Sequence, residues 1–234
     1  MSDQAQELSL SDDVALLVFG GATKRVISTG RARDSVLTAA SMLELVFARR
    51  VVLQAAGNGR RAFTARGRPM TGRSQVDRTW RHVASRSPTG FELLTCVPPG
   101  VSRTLRRSLV ARGLLTESLM KVVGRPALPT SAGIARACWV AQGAWEALDA
   151  AEPQPDRLAL IIGLLTAGGC LEVLVPEGSG VEGHTDRQSR AAGLASGLWA
   201  DHEIRDEVRA VMRSLSGAVE LNLEARYASA TVPW

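Results

Sequence analysis

Between Arg157 and Val175 the chain reads RLALIIGLLTAGGCLEVLV, a stretch with no polar side on a helical wheel. A helix that is apolar all round belongs inside something, either a bilayer or the centre of a helical domain. Length separates the two. Leu158 to Leu171 gives 14 consecutive uncharged residues, short of the roughly 20 that cross a bilayer. Pro155 and Asp156 supply a start signal and Pro176 a stop. The stretch therefore predicts one continuous interior helix, with Leu158 to Leu171 fully buried, and the other segments must supply helices with one apolar face to cover it.

Such segments are present throughout the 234 residues. Ser9 or Ser11 caps a first helix with Asp12 and Asp13 in its opening turn and an apolar body from Val14 to Phe19, closed by Gly20-Gly21. Lys24 to Arg33 reads as a polar loop containing Arg25, Arg31 and Arg33. Asp34 then opens a helix with Val36, Ala40, Leu43 and Phe47 on one face, ending near Arg49 and Arg50. Val51 to Gln54 and Ala62 to Ala65, either side of Gly57-Asn58-Gly59, predict a hairpin. Val76, Trp80 and Val83 mark a further helix, and Pro88 to Pro99 holds a short helical piece between breakers.

Val101 to Arg112 is amphipathic, with Val101, Leu105 and Leu109 facing inward and Arg103, Arg106 and Arg107 forming a cationic outer stripe; Gly113 ends it. Leu114 to Thr130 carries Gly124, Pro126 and Pro129 around Met120, Val122 and Val123, which predicts a hairpin or extended arm. Thr130 caps a long helix with Ile134, Cys138, Ala141, Trp145 and Leu148 along one stripe. After the central helix come a glycine-rich loop from Glu177 to Gly183, a helix through Ala191, Leu194 and Leu198, and one from Asp201 with Ile204, Val208, Val211 and Leu215 inward. The last dozen residues are weakly patterned. The fold class that follows is mainly α: a single helical domain over residues 1–234, with amphipathic helices around buried hydrophobic ones, plus small β-hairpins.

Charge is segregated along the chain. From Arg31 to Arg112 there are 16 basic and 4 acidic residues, a net of +12, which leaves −7 for the other segments. Such a block predicts a surface for a polyanion. The polar, acidic N-terminus MSDQAQELSLSDD has neither the basic start nor the apolar run of a secretory signal, so a cytoplasmic protein is expected. Cys96, Cys138 and Cys170 are far apart and odd in number, and read as reduced core residues. His82, His184 and His202 lack metal-type spacing, no phosphate-cradling glycine motif is present, and Asp201-His202-Glu203 reads as a helix start. No metal, cofactor or enzymatic activity is expected.

The order of these features resembles the Golgi phosphoprotein 3 family, whose members include bacterial proteins beside the eukaryotic Golgi ones. The similarity is carried by Leu8 to Phe19, by Met42-Leu43-Glu44-Leu45 followed by Arg49-Arg50-Val51-Val52-Leu53, by the Pro69-Met70-Thr71-Gly72 turn, by LRRSLVARGLL from Leu105 to Leu115, and by Pro155 to Leu174. The resemblance implies a helical domain with a projecting hairpin, peripheral on the inner face of the membrane through phosphatidylinositol 4-phosphate. The residues expected to bind anionic lipid are Arg31, Arg33, Arg103, Arg106 and Arg107. The tryptophan, arginine and basic pair of the eukaryotic lipid pocket fall on Thr29, Thr38, Pro99 and Ser102, none of which matches, and the N-terminal arginine cluster that engages a vesicle coat is missing. A shifted pocket of weaker head-group selectivity is the expectation, with self-association or membrane insertion through Leu119 to Pro129. The alternative reading is a winged-helix nucleic-acid binder, built from the basic helix and the hairpin after it.

Overall fold

The computed structural model describes residues 8–19, 30–69, 74–96, 100–116, 128–149, 156–175 and 184–230. These form nine α-helices and one two-stranded hairpin: α1 Leu10–Val18, α2 Gly30–Phe47, β1 Val51–Ala55, β2 Arg61–Ala65, α3 Ser74–Arg86, α4 Gly90–Thr95, α5 Val101–Ala111, α6 Ser131–Asp149, α7 Asp156–Ala167, α8 His184–Ala195 and α9 Arg205–Ala230. The mainly α class expected from the periodicity is the class observed. No described helix is long and apolar enough to cross a membrane.

The centre is shared among α1, α2 and α7. Every residue of α1 is buried, including both aspartates. Ser9 caps it, accepting from the Asp12 amide at 3.0 Å while its own amide donates to Asp12 Oδ2 at 3.2 Å. The next donors of that first turn meet a carboxylate from another helix, because Glu44 Oε1 of α2 accepts from the Ser11 amide at 2.6 Å and the Ser11 hydroxyl at 2.7 Å. A carboxylate at a helix N-terminus satisfies open donors and opposes the helix dipole. Helix α2 packs against α1, α3, α4, α5, α7 and α9. Its buried Thr38 and Ser41 turn their hydroxyls back onto carbonyls four residues earlier. That leaves no polar atom of theirs unpaired in the core.

The central apolar stretch is one helix for only part of its length. Gly169 takes a left-handed φ of +63°, the Cys170 amide donates back to the Leu165 carbonyl at 2.8 Å, and a 3₁₀ turn follows at Leu171–Leu174. This is a glycine-closed helix end, a signal the expected continuous helix overlooked. Ala159 to Leu165 are interior, but Leu158, Thr166 and Leu171 are half-buried and Gly169 is exposed. Helix α2 begins at Gly30, so Arg31 and Arg33 stand in its first turn rather than in a loop, and α9 runs on to Ala230 through most of the weakly patterned tail.

The hairpin has the expected strands, registered Val51↔Ala65 through Ala55↔Arg61. Its edges are covered: the Leu53 amide donates to Glu207 Oε1 at 3.0 Å and the Phe63 amide to the Pro88 carbonyl at 2.9 Å. Pairing both edges removes a template for aggregation. The arm between α5 and α6 is described only at its base, where Leu115 and Pro129 form an antiparallel bridge. The expectations for Met120, Val122 and Val123, for the Pro69-Met70-Thr71-Gly72 turn beyond Pro69 and for the glycine-rich loop fall outside the described residues. Cys170 is buried as expected, but Cys96 and Cys138 are exposed: Cys96 ends the short α4, and Cys138 lies on the outer side of α6. Leu198, expected on the helix through Ala191 and Leu194, lies beyond the end of α8 and is 56% exposed in the turn before α9.

Candidate functional site

Two of the five arginines singled out from the sequence, Arg33 and Arg106, meet at the end of α1. Phe19, which follows α1, is 6% exposed. Two guanidinium groups cover its ring, that of Arg106 from α5 at 4.8 Å and that of Arg33 from α2 at 5.9 Å from the centroid. Each such contact contributes about 0.5 to 2 kcal/mol, and together they hold two like charges beside one another. Arg33 is fixed further, since its Nε donates to Ser102 Oγ at 3.3 Å and that hydroxyl donates to Asp34 Oδ1. The helix-opening role expected of Asp34 is replaced by this tertiary bond from α5.

Arg106 therefore does not belong to the outer stripe. It is half-buried, whereas Arg31, Arg103 and Arg107 are exposed. Burial first, and then the Arg33 charge, lower the pKa of Arg106 below the ordinary arginine value, with Asp34 acting in the opposite direction. A pair of guanidiniums so placed is stabilised by any anion brought beside it, because an opposite charge relieves both the repulsion and the loss of hydration. Arg31, Arg103 and Arg107 have no ion-pair partner among the described residues. Nearby on α3, Arg78 reaches Thr104 of α5 at 3.4 Å, which extends the cationic face across a third helix.

Phe19, Ser102 and Asp34 are the members of this cluster that pattern reading missed. Phe19 had the visible signal of an aromatic at the last position before Gly20-Gly21. Of the four positions matched to the eukaryotic pocket, Thr29 and Pro99 lie outside the described residues, Thr38 is buried with its hydroxyl on the Asp34 carbonyl at 2.7 Å, and Ser102 is the bridge just described. No described group of three His, Cys, Asp or Glu side chains is placed to hold a metal.

A family model for Golgi phosphoprotein 3 (GPP34) matches residues 10–211. The chain belongs to the Golgi phosphoprotein 3 family. The matched span runs from the first residue of α1 into α9 and so includes Phe19 and all five arginines. No curated protein matches the chain.

Proposed function

We propose that this family member is a peripheral membrane protein that binds anionic phospholipid head groups, phosphatidylinositol 4-phosphate by its family resemblance, on the inner face of the membrane. The lipid-facing residues are Arg31, Arg33, Arg103, Arg106 and Arg107. The observation that carries the reading is the Arg33–Phe19–Arg106 cluster with exposed arginines beside it. Exposed arginines near an anionic bilayer contribute about 1 kcal/mol each, and the two clustered guanidiniums supply fixed donors. Phe19 is too deeply covered to act as a wall for an inositol ring. Among the described residues attraction is thus well provided for and ring recognition is not, so weak selectivity among acidic lipids is expected.

The test is flotation with liposomes of equal charge, containing either phosphatidylinositol 4-phosphate or phosphatidylglycerol. Comparable binding to both is expected. Arg103→Ala with Arg107→Ala leaves the Phe19 cluster intact and is expected to weaken binding by roughly thirtyfold. Strong preference for the phosphoinositide would mean that a selective pocket exists, and unchanged binding by the variant would remove the exposed arginines of α5, Arg103 and Arg107, from the site. Duplex DNA measured in parallel separates the nucleic-acid alternative: binding to DNA without flotation would favour it.

A further inference from the structure

A second cationic site lies elsewhere, in a groove of about 330 Å³ between the hairpin, α4 and α9. It shares no residue with the Phe19 cluster. Leu53, Arg61, Phe91, Arg209, Arg213 and Ser214 are the lining residues that bear on its chemistry. Arg61 is committed to Asp206, at 2.9 Å. The neighbouring acids are likewise engaged, Glu203 by Arg49 and Glu207 by the Leu53 amide. Arg209 and Arg213 stand one turn apart on the same side of α9 with no ion-pair partner among the described residues. Like charges at that spacing repel, and the repulsion becomes attraction when one anion is held between them.

The groove is built rather than incidental. Gly90 lets α4 approach α9 so closely that a Cβ there would stand 2.5 Å from the Oγ of Ser214, which lines the groove. The stem of Arg209 is pressed against the α8–α9 connection, with its Cγ 3.0 Å from where a Cβ on Gly197 would be. A long side chain already held by packing loses less freedom on binding. Phe91 is 45% exposed beside them and, with Leu53, offers an apolar surface.

We propose that this groove binds a phosphomonoester, with the phosphate between Arg209 and Arg213 and its carbon skeleton on Phe91 and Leu53. The volume is near the lower end of small-molecule sites, about 300 to 1,000 Å³, which fits one head group or metabolite rather than a peptide. Paired guanidiniums with a hydroxyl suit a phosphate dianion better than a single carboxylate, and the aromatic side suits an esterified phosphate better than the bare ion. The inference is independent of the membrane reading.

The test uses the full chain and two sources of the group. Phenyl phosphate and inorganic phosphate are titrated by calorimetry, and flotation compares phosphatidylcholine vesicles containing phosphatidic acid with vesicles of equal charge containing phosphatidylglycerol. Phenyl phosphate is expected to bind more tightly than inorganic phosphate. Arg209→Gln with Arg213→Gln, which keeps most of the packed Arg209 stem, should lose about tenfold or more. Phe91→Ala should weaken phenyl phosphate and leave inorganic phosphate unchanged. Arg81→Gln with Arg86→Gln removes the same charge from α3 and should change nothing. If phenyl phosphate does not bind but the α9 variant selectively loses phosphatidic acid vesicles, the phosphomonoester is a lipid. Failure of both arms, or equal loss in the α3 variant, would overturn the site.

Discussion

Asp13 shows what burying a charge requires. Its side chain is fully buried, and its two oxygens accept from Arg136 Nε and Nη2 at 2.9 Å each and from Arg157 Nη2 at 2.6 Å. One carboxylate thereby ties α1 to α6 and α7, while Asp12 holds Arg112 at the end of α5 at 3.2 Å. The sequence places both aspartates in a first turn, where the helix dipole favours them, but it does not say that three arginines from distant segments will cover them. Asp13→Ala leaves two partly buried guanidiniums facing a cavity and is expected to lower stability by about 3 to 5 kcal/mol, read as a lowered urea midpoint. The thiols give a second check at this scale. Burial, then the Glu172 charge, push the Cys170 thiol up beyond its ordinary value, whereas Cys96 and Cys138 are exposed. A thiol-specific dye at neutral pH should label those two in the folded protein and reach Cys170 only on unfolding, because the thiolate is the reactive form.

Helix α6 explains why one apolar stripe was misread while that of α5 was not. In α5 the large residues Val101, Leu105 and Leu109 are the buried ones, so size and burial agree. In α6 the buried face is Gly133, Ala137, Val140, Ala141, Ala144, Ala147 and Leu148, and Ile134 and Trp139 are 46% and 63% exposed. Size misleads there because α6 lies close against α1 and α7, and a close crossing selects small residues at the contact. Only the later part of the expected stripe, Ala141 to Leu148, faces inward, and Trp145 is half-buried there with Arg187 over its ring at 4.6 Å. The tightest point is Gly133, whose Cβ would fall 2.0 Å from the Leu114 carbonyl oxygen. Backbone cannot swing aside as a side chain does, so Gly133→Ala is expected to cost at least the roughly 1 to 3 kcal/mol typical of overpacking. The measurement is a thermal melt, and a Tm equal to wild type would show that the α5–α6 connection yields. Caps and turn residues were legible, as Ser9, Thr130 and the hairpin demonstrate; close helix contacts were not, because the partner of each glycine is distant in sequence.

At the scale of the whole molecule, charge is less segregated in space than along the chain. The turn before α9 and the helix's own first turn carry acids back onto the basic block: Arg49 pairs with Glu203 and Arg61 with Asp206. These pairs engage part of the basic block and leave Arg31, Arg103 and Arg107 on the α2–α5 face without an ion-pair partner among the described residues, which the net charge of +5 does not reveal. The basic block was visible in the sequence, but which part of it stays available depended on contacts about 150 residues apart in the chain. A surface that works by field rather than by fit has a distinctive response to salt. The Debye length falls from about 10 Å at 0.1 M to about 3 Å at 1 M, so liposome binding should weaken steeply over that range, and to a similar degree for every acidic lipid. Glu203→Gln supplies the complementary change. It frees Arg49 while altering stability by no more than about 1 kcal/mol, as for exposed pairs generally, and should strengthen low-salt flotation with phosphatidylglycerol liposomes. Stronger binding that disappears at high salt would fit a field summed over the whole basic block. Binding unchanged in Glu203→Gln would confine the interaction to the α2–α5 face, and binding indifferent to salt would contradict the electrostatic reading at both scales.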